Sequence, residues 1–162
     1  MRVEDLRSGD LVYWKGKGFL PWLVRFWTRP KFWSLKLAPF YHVGMVWRNG
    51  GTLFYTDAAP QGVAIFSFAV NTPTHAQRTH SAWDDATTVA MKSMLGKPYS
   101  FWTAALTPFK LAGRGSSAFM CSEYVTRLME RMGWDWRGYQ PTPEGVRLGV
   151  LAATGNDAEV IE

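Results

Sequence analysis

The chemistry open to this chain rests on few side chains, because its 162 residues include one cysteine and three histidines. Cys121 follows the run Gly113-Arg114-Gly115-Ser116-Ser117 and opens Cys121-Ser122-Glu123-Tyr124, an expected loop-to-helix junction. Backbone N–H groups and the positive end of the dipole at a helix start favour an anion, so a thiolate is at home there. The same amides can hold the oxyanion of a tetrahedral intermediate. A cysteine within a helix is otherwise a small buried hydrophobe. The junction, rather than the residue type, points to a nucleophile.

His42 begins the apolar run Val43-Gly44-Met45-Val46-Trp47, where it is either a structural histidine or a base at the mouth of a cleft. Gly44 would let another backbone or a substrate approach. Asn49-Gly50-Gly51 is a hairpin signal, and folding the chain there pairs residue 43 with about residue 57. Asp57 is then a near neighbour of His42. A carboxylate beside an imidazole fixes its tautomer and stabilises the imidazolium, the third role of a catalytic triad; the plainer reading of Asp57 is a strand-end turn residue. His75 and His80, in a polar stretch, are expected to be solvated. Tyr99, in Gly96-Lys97-Pro98-Tyr99, is either a packed ring or, with Ser122, a contact for the oxyanion or substrate.

The elements needed to position these groups follow from periodicity and turn chemistry. Strands are expected over Asp10–Trp14, His42–Arg48, Thr52–Ala58 and Val63–Phe68, and Asn71–His80 reads as a loop. A helix is expected from a Ser81–Asp84 capping box to Leu95, and others over Ser100–Leu106, from Ala118 or Cys121 to Met132, and from Thr142-Pro143-Glu144. Strands first and helices later predict an α+β fold. The chain reads as one domain over 1–162, with a frayed acidic tail from about 152.

Composition narrows the classes. At 47% hydrophobic and 19% charged the chain is globular. One cysteine excludes an internal disulfide, and with three scattered histidines it gives no metal-ligand pattern. Neither a metal nor a cofactor is expected. MRVEDLRSGD carries charges of both signs and no apolar core, and no later run is long enough to span a bilayer. Cytoplasmic synthesis is therefore expected, with any delivery to a cell envelope left to lysis or a phage particle.

The net charge of +5 is uneven. From Leu11 to Thr56 there is no acidic residue, while Lys15, Lys17, Arg25, Arg29, Lys31, Lys36 and Arg48 supply seven positive charges. Five of the nine tryptophans lie there too. Trp14 and Trp47 fall on expected strands and read as core. An amphipathic helix is expected over Phe19–Arg29, and Trp22, Arg25, Trp27, Arg29 and Trp33 are candidates for a flap that meets an anionic membrane surface or a substrate.

Taken together, Gly9-Asp10-Leu11-Val12, His42-Val43-Gly44, Asp57, Gly96-Lys97-Pro98-Tyr99 and Cys121-Ser122-Glu123 resemble the circularly permuted NlpC/P60-type papain-like hydrolases. The resemblance covers roughly residues 8 to 130. In that branch the histidine strand precedes the cysteine helix, as here. It implies a papain-like antiparallel sheet or small barrel packed on helices, with Cys121 as nucleophile, His42 as base and Asp57 as the orienting residue. It also implies cleavage of a peptide-like amide, with bacterial cell-wall peptides (peptidoglycan) the foremost substrate. Related permuted folds include lecithin–retinol-type acyltransferases, so a lipid-directed acyltransferase or thioesterase using the same thiol is the alternative. A nucleic-acid-binding module would leave the Cys–His–Asp set unexplained. The segment at about 14–41 is an insert for which these motifs do not account.

Overall fold

The computed structural model describes residues 1–17, 25, 38–100, 119–136 and 142–162. The expected helices over Phe19–Arg29 and Ser100–Leu106, and the Gly113–Ser117 loop, lie largely or wholly outside the described residues.

Six strands form one antiparallel sheet: β1 (Leu11–Trp14), β2 (His42–Asn49), β3 (Thr52–Ala59), β4 (Gly62–Ser67), β5 (His75–Gln77) and β6 (Glu159–Val160). Their spatial order is β4-β3-β2-β1-β5-β6, so among the described residues the sheet has two edges and does not close into a barrel. The α-helices lying wholly within the described residues are α1 (Asp85–Met94), α2 (Cys121–Arg131) and α3 (Pro143–Thr154). The fold is α+β.

The hairpin between β2 and β3 sets the register that matters most. Asn49 pairs with Thr52 across Gly50 and Gly51, whose φ values of +54° and +84° suit a two-residue primed turn. Continued along the ladder, this places Gly44 opposite Asp57, one residue from the expected pairing.

Alternation then sorts the two faces of the sheet. Leu11, Tyr13, Val43, Met45 and Trp47 pack with Tyr124, Val125, Leu128 and Met129 of α2 in the larger core. Val12, Trp14, Val46 and Tyr55 face the other way, into a second cluster closed by Leu6. Two buried polar side chains pair across the sheet: Tyr13 donates to Gln77 Oε1 at 2.6 Å, and Gln77 Nε2 donates to the carbonyls of Arg147 and Asn156. One glutamine thereby joins β1 and β5 to the end of α3.

Four expectations are corrected. Asn71–His80 is not all loop, because His75–Gln77 forms β5 against β1. His75 is accordingly buried rather than solvated; it accepts from Lys15 Nζ at 3.0 Å, and its pKa is lowered by burial and by that lysine. His80 is exposed as expected. The N-cap of α1 is Asp84, whose Oδ1 accepts from Thr87 N at 2.7 Å, whereas Ser81 Oγ accepts from Trp134 Nε1. The tail from Ala152 does not fray: α3 continues to Thr154, and β6 pairs with β5.

Candidate active site

Each candidate catalytic group is placed by a different element. His42 is the first residue of β2, and Asp57 lies within β3. Cys121 is the first residue of α2, a position whose backbone amides have no partner inside the helix. Asp84 caps α1 and Thr142 caps α3 through their side chains, but the N-cap of α2, Met120, makes no side-chain cap hydrogen bond. The helix that carries the thiol is the one of these three whose own N-cap residue supplies no capping oxygen.

The imidazole links the other two. His42 Nε2 lies 2.7 Å from Asp57 Oδ2, and the Cys121 thiol is within hydrogen-bonding reach of the same ring. With Nε2 held by the carboxylate, Nδ1 is the nitrogen left for sulfur. Burial opposes charge on this ring, but the Cys121 thiolate and the Asp57 carboxylate outweigh it, and the His42 pKa is pushed up to about 10. Asp57 is 2% exposed, and among the described residues its Oδ1 has no hydrogen-bond partner. Among the described residues, the carboxylate's hydrogen bond is the one that Oδ2 makes with His42. The imidazole thus lies between a helix-start thiol and a buried carboxylate, both of which favour its protonated form.

Aromatic rings surround it. The phenol pKa values of Tyr41 and Tyr99 are raised, by burial first and then by the charges on Cys121 and Asp57. Both rings are thus within electrostatic range of both groups. Tyr99 is held by a bridge to Phe119, two residues before Cys121. Ser122 is fully buried in the first turn of α2. The Trp14 ring centroid lies 5.1 Å from that of His42, and Tyr41 lies 6.0 Å from it.

Sequence reasoning left Trp14 to the core and passed over Tyr41. The signals were present: Tyr41 directly precedes His42, and Trp14 pairs with His42 in the sheet. Of the flap candidates, Arg25 is described; it is helical, and its Nε donates to the Ala38 carbonyl at 2.6 Å. Trp22, Trp27, Arg29 and Trp33 lie outside the described residues.

Among the described residues no group of three or more His, Cys, Asp or Glu is placed to hold a metal ion, and no helix is long and apolar enough to cross a membrane.

No family model and no curated protein matches the chain. Among solved structures, the crystal structure of metalloprotein yiiX from Escherichia coli, a DUF1105 protein, is similar in fold. The TM-score is 0.59 at 14% identity, over 95% of this chain and 88% of that one. At that identity the likeness concerns the fold alone.

Proposed function

We propose that this chain is a cysteine hydrolase of the permuted papain-like type that cleaves a peptide-like amide through an acyl-enzyme on Cys121. One arrangement carries the reading: a hydrogen bond of 2.7 Å from His42 to a buried carboxylate, with a helix-start thiol within reach of the same imidazole.

The steps follow from that relay. The Cys121 thiolate attacks the carbonyl carbon, and the first-turn amides of α2 receive the developing oxyanion. The C–N bond breaks as the His42 imidazolium gives its proton to the leaving nitrogen, and a thioester remains. Water, deprotonated by the now neutral His42, then attacks the thioester, and the acid is released as the thiolate returns. Asp57 holds the imidazole in place throughout. The Escherichia coli protein is called a metalloprotein; no metal has a role in this proposal, since among the described residues no group of three or more His, Cys, Asp or Glu is placed to hold one.

The resemblance to peptidoglycan-directed hydrolases favours cell-wall peptides as substrate. Intact-mass analysis after incubation with cell-wall peptide fragments should show a peptidyl adduct that is absent in Cys121→Ala. A fatty-acyl adduct formed instead from phospholipid vesicles would move the assignment to the lipid-directed alternative. An absence of adduct with both would overturn acyl-enzyme chemistry.

A further inference from the structure

Trp14 is the cross-strand partner of His42, and its ring lies against the imidazole at a centroid distance of 5.1 Å. It is held on its other side by Tyr55, whose ring centroid is 5.0 Å away in an edge arrangement. At 4% exposure it is sealed from solvent.

The missing side chain at Gly44 leaves a space beside Asp57 and the Thr56 carbonyl, and the indole edge borders that space. A Cβ at that position would meet Trp14 Cη2 at 3.4 Å, Asp57 Cβ at 3.3 Å and the Thr56 carbonyl oxygen at 3.2 Å. The indole, the carboxylate-bearing carbon and the strand backbone therefore converge on the space left by one hydrogen atom.

The choice of ring is informative. Trp14 Nε1 is buried and among the described residues has no hydrogen-bond partner, a liability of about 1–3 kcal/mol that a phenylalanine or leucine would not carry. A buried indole next to a cationic imidazole contributes its π-face and excludes water from the ion pair.

We propose that Trp14, bordering the space left at Gly44, is a positioning residue that shields the His42–Asp57 hydrogen bond and holds the imidazole toward Cys121. This rests on the hydrolase reading for its purpose, but its physical content can be tested without turnover. The charged and titratable groups facing His42 are the Asp57 carboxylate on β3, the Cys121 thiol on α2, and the phenols of Tyr41 and Tyr99. A change at Trp14 alters none of these, whereas a Cβ at Gly44 would press on Asp57 itself.

The test is NMR titration of the His42 ring in the full chain. Trp14→Leu removes the π-face and admits water, which screens both attractive charges, and the His42 pKa should fall by about one unit or more. Trp14→Phe keeps a ring and should restore most of the shift. Trp14→Met fills the space without a ring and should also lower the value, which keeps the proposal testable if Trp14→Leu fails to fold. Where activity is measurable, kcat should fall in Trp14→Leu with little change in KM. An unchanged His42 titration in a folded Trp14→Leu or Trp14→Met would overturn the proposal. A lowered His42 pKa in a chain that forms no acyl-enzyme would leave the positioning role standing and sink the hydrolase reading alone.

Discussion

His42 and Asp57 are diagonal rather than direct neighbours in the β2–β3 ladder, yet their side chains meet at 2.7 Å. Gly44 stands opposite Asp57, and His42 is two residues further along the same face. Diagonal positions lie about 7–8 Å apart, within reach of long or aromatic side chains, and the absent side chain at Gly44 clears the line between them. A two-glycine turn that fixes the register and a third glycine that opens the diagonal together create the pair.

This geometry predicts unequal losses on mutation. Cys121→Ala and His42→Ala should each abolish measurable turnover. Asp57→Ala should retain roughly a hundred-fold more activity than either, because an unoriented imidazole still transfers its proton. Steady-state kcat/KM for the three variants decides it, and full activity in Asp57→Ala would move the orienting role elsewhere.

The same relay should show in reactivity toward an alkylating agent. A thiol held beside an imidazolium reacts as thiolate in mildly acidic solution. Iodoacetamide should therefore label Cys121 at pH 6 at least about ten-fold faster in the wild type than in His42→Ala. Equal rates would remove His42 as the partner of sulfur.

How much of this was legible in the sequence depended on whether a local signal carried it. Asn49-Gly50-Gly51 determines its own turn, so β2, β3 and the nearness of His42 to Asp57 followed from it. Cys121 was legible because a Gly/Ser run before a helical pattern announces a helix start. The expectations that failed depended on distant partners. His75 is buried because β1, Phe40 and Lys15 surround it, and none of them is near it in sequence. Ser81 could have capped α1, but Trp134 takes its hydroxyl, while Asp84 lies in better reach of Thr87. The acidic tail gave no strand signal, and it is ordered by pairing with β5.

Packing between the last helix and the loop after α2 gives a stability prediction. A Cβ on Gly149 would fall 2.4 Å from Trp136 Cζ3, and both residues belong to the buried interior. Gly149→Ala should therefore destabilise the protein by about 1–3 kcal/mol despite the better helix propensity of alanine. Urea unfolding monitored by tryptophan fluorescence would show a lower midpoint, whereas an unchanged or raised one would mean that Trp136 has room to move.

The basic, acid-free segment from Leu11 to Thr56 should govern which surface the protein meets. We expect co-sedimentation with isolated cell-wall sacculi that weakens as salt is raised, since exposed charges are screened over about 10 Å at 0.1 M. Anionic vesicles run in parallel provide the contrast. Binding to vesicles alone would favour the lipid-directed alternative, and binding to neither would remove the segment from substrate capture.

The last prediction concerns pH, where the raised pKa of His42 fixes the sign. Its folded value of about 10 lies above the ordinary 6.5, so the folded protein holds this proton more tightly than the unfolded chain does. The resulting stabilisation is fully present below about 6.5 and is lost as pH rises through about 10. The melting-temperature advantage of the wild type over His42→Gln should accordingly shrink between pH 6 and pH 10.5. Activity should follow the same proton, because the imidazolium is the acid that releases the leaving amine. The alkaline limb of kcat/KM is therefore expected near about 10. Asp57→Asn removes a charge that raises the His42 pKa, so its limb should move to lower pH while the hydrogen bond to Nε2 can persist through the amide oxygen. A limb that stays in place in Asp57→Asn would show that the titrating group is not His42, and the assignment of the general acid would fall with it.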